Sequence, residues 1–377
     1  MSGSIESESL SFPIRVLHII NNLSAGGAEK LILDTLPLYK EKGIDVHLLL
    51  LNNRVPAFYE ELRKTACCPI YILGNKSVYN PLLVFKIVPF LKKFDVVHVH
   101  LFPALYWVAM AKLLGFSHTR LCFTEHGTTN RRRLNPLFKI IDRFIYKRYN
   151  TVISISADVD KSLRNYLGID TDKIKLIPNG IDLRKIREAE PYPRSVFFKE
   201  ENVKIVIMVS RFYEPKDQLT IIKSLLHLPE NVKLLLVGDG DLLQQCKKLA
   251  KEIRLLNRIV FTGVRLDVPS ILKTADIVVV STKHEGFSLA SLEGMASGRP
   301  VVASDVPAIS ELIKGTGVLF PVGNPEALAN EILHLLSDDE HYRKVADACM
   351  VKASEYSIEK MVDQYIALWQ EITGDSS

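Results

Sequence analysis

A chain of 377 residues, 47% hydrophobic and 24% charged, is long enough for two cores and too apolar to remain unfolded. Its net charge of +5 makes it only mildly basic, and no zinc-finger spacing or basic zipper supports nucleic acid as a partner. Five scattered cysteines, two of them adjacent at Cys67 and Cys68, argue against a disulfide scaffold and for a reducing compartment.

Residues 1–12 carry Glu6 and Glu8 with no positive or apolar leader region, and read as a disordered tail and not a signal peptide. Short apolar, β-branched runs follow at Val16–Ile20, Val46–Leu51, Val96–Val99, Leu121–Thr124 and Thr151–Ile155. A second series lies at Ile205–Val209, Leu234–Val237, Ile259–Phe261, Ile277–Val280 and Val301–Ala303. Near-continuous apolar runs suit strands of a parallel sheet, buried on both faces. Helical spacing separates them, as in Ala28–Tyr39 and Leu242–Ile253, so the pattern predicts an α/β fold of two doubly wound, Rossmann-like domains facing across a cleft. The expected divisions are 13–187 for the first domain and 188–357 for the second, the boundary falling where Glu190, Pro191 and Pro193 interrupt both patterns. An amphipathic segment at 358–373 is expected to pack back on the first domain. No apolar stretch reaches the roughly 20 residues that span a bilayer, since Lys86 and Pro89 break Leu82–Leu91. The expected location is cytoplasmic, with any membrane contact peripheral and on the inner face.

Ligands in such folds bind outside the carboxyl ends of the strands. Four strand ends there are unusual. Gly26-Gly27 sits where a strand turns into a helix and lets backbone amides approach an anion. Arg211 and Lys216 follow the first strand of the second half and suit a diphosphate, although from them alone a solvated loop pair is the better reading. After Val280, the turn Glu285-Gly286-Phe287 leads into a helix from Ser288, which points the amides of Phe287, Ser288 and Leu289 outward for a phosphate. Glu285 before that helix and Glu293 within it offer carboxylates to sugar hydroxyls. Finally, His100 and His126 each stand at a strand end of the first half, as structural or as functional histidines.

In this order the residues resemble glycosyltransferase family 4, retaining enzymes of the GT-B fold, from about Arg15 to Trp369. The strongest stretch is Glu285 to Glu293, the family's Glu-x7-Glu element, continuing through Gly298-Arg299-Pro300 to Asp305. Gly26-Gly27-Ala28-Glu29, Ser210-Arg211, Lys216-Asp217, Val237-Gly238-Asp239-Gly240 and Pro178-Asn179-Gly180 match as well. The resemblance implies that Arg211 and Lys216 grip the donor diphosphate, Glu285 the transferred sugar and Glu293 the ribose. It places His126 beside the sugar and lets the first domain close through Gly26 and Gly27. Backbone groups around Val264 are expected to read the base, which leaves UDP-sugars favoured and GDP-mannose open. Where many members carry a Gly-Gly pair after Asp305, this chain has Val306-Pro307-Ala308.

Asp170-Thr171-Asp172 and Asp239-Gly240-Asp241 have a metal-carrying pattern, but the second reads as the start of a helix and Arg211 with Lys216 already supplies positive charge. No metal and no cofactor are expected. From Arg131 to Arg148 runs a basic amphipathic helix with Arg131, Arg132 and Arg133 at its head, read either as an acceptor-side surface for an anionic membrane or as a solvated basic face. The partners expected are a nucleotide-sugar donor and a saccharide or lipid-linked saccharide acceptor in polysaccharide assembly. A glycoside phosphorylase, a sugar-nucleotide epimerase and an inactive nucleotide-sugar-binding subunit are the competing readings.

Overall fold

The computed structural model describes residues 13–24, 26–52, 58–128, 131–168 and 172–374, with only the backbone of Arg131 and Leu134. The expected tail at 1–12 and the pair Asp170-Thr171 lie outside them. β1 (Arg15–Ile20), β2 (Asp45–Leu50), β3 (Ile70–Ile72), β4 (Val96–His100), β5 (Arg120–Glu125), β6 (Thr151–Ser154) and β7 (Ile174–Leu176) form one parallel sheet, ordered β3-β2-β1-β4-β5-β6-β7. β8 (Lys204–Val209), β9 (Val232–Val237), β10 (Ile259–Gly263), β11 (Ile277–Val280), β12 (Val301–Ser304) and β13 (Val318–Phe320) form a second, ordered β10-β9-β8-β11-β12-β13. The ten strands expected from the apolar runs are all present. The three further ones, β3, β7 and β13, are three-residue edge strands, half-exposed and too short to show a run.

In each sheet the strand order reverses direction once, between β1 and β4 and between β8 and β11. A crevice opens at such a switch point because the neighbouring connections leave to opposite faces. The first sheet is covered on both sides. Val16 and Ile20 of β1 pack with the helices Gly27–Glu41 and Ile358–Thr373, while Leu17 and Ile19 face Leu105, Val108 and Leu163. Trp369, fully buried, anchors the C-terminal helix in the first domain.

The chain crosses between cores earlier than the expected boundary. Ile177 belongs to the first core, whereas Ile181 and Ile186 belong to the second. The return crossing lies alongside, since Ile181 N–H donates to Tyr356 O and Ile358 N–H to Ile181 O, both at 2.9 Å. Gly180 is required by this proximity: a Cβ there would stand 2.5 Å from Ser357 O and 2.7 Å from Ile358 Cα.

Candidate active site

The carboxyl ends of both sheets converge on a cavity of about 530 Å³. From the second domain, the loops after β8 and β11 are knitted together. Asp217 N–H donates to Ser281 O (3.0 Å) and Lys283 N–H to Pro215 O (2.9 Å), which brings the Lys216 ammonium onto the Glu285 carboxylate as an ion pair. Arg211 stands free of that pair, its guanidinium 4.5 Å above the Tyr213 ring. Ser288 caps the helix Leu289–Ala296 by accepting from Ser291 N–H at 3.2 Å. The amides of Phe287 and Ser288 have no partner among the described residues, so that helix end is open to an anion. Glu293 is buried one turn along, and burial raises its pKa while Lys30 opposes the shift.

The first domain supplies the facing wall. Gly26 is the N-cap of Gly27–Glu41 with an extended backbone, φ −153°, so its value lies in the missing side chain and not in its conformation. His126 follows β5 and lines the cavity, and burial lowers its pKa to about 4, leaving it neutral. Direct contacts close the cleft. Lys30 Nζ lies 3.4 Å from Glu293 Oε1, Thr128 Oγ1 2.6 Å from His284 Nε2, and Ser156 Oγ donates to Gly286 O at 2.8 Å.

Of the residues singled out in the sequence, Arg211, Lys216, Glu285, His126, Gly26, Gly27, Phe287, Ser288, Leu289, Glu293 and Val264 all line this one cavity. Gly286 stands just behind it, where a Cβ would come 3.2 Å from Gly127 Cα across the cleft.

Of the acceptor-side group, Arg132 reaches the cavity wall, whereas His100 and Arg133 do not. His100 is buried inside the first domain, beside His18 and His98. Arg132 and Arg133 turn inward: Arg132 Nε bonds Asp142 Oδ2 at 3.1 Å, and Arg133 pairs with Glu125 and donates to Thr128 O at 3.0 Å. Two acids account for it, Asp142 fully buried and Glu125 partly so, since cations are pulled in wherever a carboxylate would otherwise be buried alone. The side chain of Arg131 lies outside the described residues.

The expected single helix 131–148 is also two pieces. A short 3-10 turn Arg131–Leu134 precedes the helix Pro136–Tyr146, because Asn135 caps the new start and Pro136 takes its first position. Nor does Asp241 start the next helix, which begins at Leu243 with Leu242 as its cap.

Sequence reading missed Lys30 and Glu125 and gave no role to Glu29 and Asn179, all of which also line the cavity. Glu29 is half visible, as the last residue of the Gly-Gly-Ala-Glu match. Nothing local marks Lys30, whose role comes from a partner in the other domain.

A cleft between two doubly wound domains, with cations and an open helix end facing glycines, is built to receive a phosphate-bearing ligand. The comparisons make this specific. Residues 25–185 match the model of Glycosyltransferase Family 4, and 203–338 that of Glycosyl transferases group 1. The chain belongs to glycosyltransferase family 4 and is a glycosyltransferase.

Among similar proteins is the Escherichia coli UDP-Gal:alpha-D-GlcNAc-diphosphoundecaprenol alpha-1,3-galactosyltransferase, 24% identical over 93% of this chain and 95% of its own. Another is the Bacillus anthracis N-acetyl-alpha-D-glucosaminyl L-malate synthase, 27% identical over 74% of this chain and 76% of its own. The crystal structure of Anabaena HepE in complex with UDP and glucose superposes with a TM-score of 0.82 at 22% identity, covering 94% of this chain and 98% of that one. The fold is GT-B.

Proposed function

We propose that the protein transfers a hexose from a UDP-sugar to a saccharide acceptor, with retention at the anomeric carbon and without a metal ion. The observation that carries this reading is the meeting in one cavity of Arg211, Lys216, an open helix end, Glu285 and Glu293 with the glycine pair and His126. In this reading Arg211 and Lys216 neutralise the diphosphate, and the amides of Phe287, Ser288 and Leu289 bind its oxygens. Glu285 takes hydroxyls of the transferred sugar and Glu293 those of the ribose, while the backbone at Val264 meets the base. Lys30 pairs with both Glu293 and Asp34, so it keeps a partner when Glu293 turns to the ribose. As the bond from the anomeric carbon to the diphosphate breaks, the acceptor hydroxyl attacks from the same face. Its proton passes to the departing phosphate oxygen. The side chains supply fixed charge and orientation and no covalent step.

The UDP-bound Anabaena neighbour and the UDP-Gal-dependent relative favour uridine donors. A Mycobacterium tuberculosis phosphatidyl-myo-inositol mannosyltransferase, 26% identical over 75% of both chains, keeps GDP-mannose as the second choice. For the acceptor, relatives whose names specify diphosphoundecaprenol-linked sugars favour a lipid-diphosphate saccharide in polysaccharide assembly on the inner membrane face. No helix among the described residues is long and apolar enough to cross a membrane.

A surface feature supports peripheral docking. In the helix Pro136–Tyr146 the apolar stripe faces outward: Leu137, Ile140, Ile141 and Phe144 are 62%, 68%, 36% and 45% exposed, while Asp142 is buried. Lys112, Phe116, Lys147 and Arg148 line a shallow depression, giving cations and an 87%-exposed aromatic ring to an anionic lipid surface.

A melting-temperature screen of UDP- and GDP-sugars with and without EDTA, followed by the anomeric configuration of the product, tests the reading. The expected result is a rise with UDP-sugars that EDTA leaves unchanged, because ligands of the native state stabilise it, and a product that keeps the donor's configuration. A rise that EDTA abolishes would remove metal independence, and an inverted product would remove retention. Turnover dependent on inorganic phosphate points to the phosphorylase, donor turnover without acceptor to the epimerase, and binding without either to an inactive subunit.

A further inference from the structure

His18, His98 and His100 have no part in the cavity, yet they form a cluster behind His126. In the pairing of β1 with β4, His18 is the register partner of His98, and His100 lies two residues on, so the three imidazoles leave one face of the sheet. Tyr39, Tyr365 and Trp369 roof them over. His18 Nδ1 lies 3.2 Å from His100 Nε2, and His100 Nδ1 lies 3.2 Å from His126 Nε2. His98 stands beside this row, with its Nε2 2.7 Å from Thr124 Oγ1. Burial lowers the pKa of all four, to about 3 for His18, so every ring is neutral near pH 7 and carries one proton.

Three clustered histidines also suggest a cation. The ring planes speak against one: His18 and His100 are 12° from parallel with centroids 5.5 Å apart, and His98 and His100 are 29° from parallel at 4.4 Å. His18 Nδ1 and His100 Nε2 face each other at 3.2 Å as an N–H···N pair does, and an ion about 2.1 Å from both would have to sit well off their lone-pair directions. A hydrogen-bonded row remains.

Three neutral rings in a row permit two polarities. In one, His18 Nδ1–H donates to His100 Nε2 and His100 Nδ1–H donates to His126 Nε2, so the His126 proton sits on Nδ1. In the other every bond reverses, the His126 proton sits on Nε2, and His18 carries its own on Nε2. The far end decides between them. His18 Nε2 is buried without a partner, and so is Trp369 Nε1. The Trp369 indole meets the His18 ring edge-on, 5.5 Å between centroids at 73°, and its nitrogen can only donate. The second polarity leaves two buried N–H groups, those of His18 Nε2 and Trp369 Nε1, without an acceptor. The first leaves only the Trp369 N–H so, with a lone pair on His18 Nε2, and is the less costly arrangement, because a buried N–H without an acceptor is the rarer defect.

We propose that His18 and His100 are positioning residues that fix His126 with its proton on Nδ1, the ring nitrogen no described residue partners, so that His126 meets the donor as a hydrogen-bond donor and not as a base. The inference rests on reading the cavity as the donor site. An N–H at that place serves a diphosphate oxygen or a sugar hydroxyl. It also leaves the acceptor's proton to the departing phosphate.

The test uses the full chain labelled with nitrogen-15 in histidine. Long-range proton–nitrogen correlation NMR reads which ring nitrogen carries the proton, and His126→Asn assigns the signal. The expected result is a proton on His126 Nδ1 in the unliganded protein, and a mixture of tautomers in His100→Leu. In initial rates, His100→Leu is expected to lose kcat by on the order of tenfold or more, with a smaller change in donor KM. His100→Asn, whose amide N–H stands where Nδ1 stood, is expected to recover most of that loss. A His126 proton on Nε2 in the wild type overturns the proposal, as does an equal loss in two variants that melt alike. If His100→Leu does not fold, the wild-type spectrum still decides. Calorimetry with UDP-sugars separates the two levels: a wild type that binds no nucleotide-sugar refutes the donor site, whereas one that binds with its proton on Nε2 refutes the tautomer alone.

Discussion

Lys216 and Glu285 neutralise each other in the cleft, so removing one does more than delete a contact. In Lys216→Met the Glu285 carboxylate is left unpaired beside the place assigned to the diphosphate, and repulsion adds to the lost attraction. The expected loss in kcat/KM is on the order of 10²–10³-fold, with an unchanged melting temperature because both side chains sit at the cavity edge and not in a core. Near-normal initial rates in this variant would move the diphosphate elsewhere. Gly286 acts at the same scale by different means. A methyl group there would lie 3.4 Å from both His126 O and Thr128 N, so Gly286→Ala pushes the two walls apart by a few tenths of an ångström. Its expected signature is a raised donor KM with each domain as stable as before, read by initial rates and by thermal unfolding. These residues were legible because a glycine or a charge at a strand end has little structural work to do. His18 and His98 were not legible, since a histidine inside an apolar strand run looks like any other buried position until its neighbours across the sheet are known.

Elements were read most reliably where burial is complete. The central strands β1, β4, β8 and β11 have apolar residues on both faces, whereas β3, β7 and β13 pair along one edge and need only three residues. The helix Pro136–Tyr146 exposes a different limit. Its periodicity shows that one face is apolar, but the sequence does not say that Asp142, with Tyr106 and Tyr166 as partners, turns inward and sends the apolar stripe out. An exposed stripe at positions 137, 140, 141 and 144 is a liability unless a surface covers it. Ile140→Gln combined with Phe144→Gln therefore tests the docking proposal. Flotation with vesicles rich in anionic phospholipid is expected to fall by on the order of tenfold to a hundredfold, while transfer to a water-soluble acceptor is unchanged. Unaltered flotation would take that helix out of any membrane contact.

At the scale of the whole molecule, the histidine cluster sits where the C-terminal helix Ile358–Thr373 closes on the first sheet, so its protonation bears on how the two ends of the chain hold together. Burial lowers the pKa of His18, His98, His100 and His126 below the ordinary 6.5. As pH falls through 6.5 the unfolded chain binds protons that the folded one refuses. Stability is then fully present above that value and lost below it, by about 1.4 kcal/mol per pH unit for each group. Glu29 and Glu293 act in the opposite sense, because burial raises both and the folded state then binds their protons first. With four groups against two, urea unfolding is expected to show stability declining from pH 6.5 towards 5. His98→Phe removes one of the four without touching the cavity, since among the described residues His98 hydrogen-bonds through its side chain to Thr124 alone and does not line the cavity. Its curve is expected to be flatter by about one proton, about 1.4 kcal/mol per pH unit. A variant with the wild-type slope would mean that His98 already carries its proton in the folded protein. His98 Nδ1, buried without a partner, would then need an anion or water beside it, because a charged imidazole does not remain buried without a counter-charge.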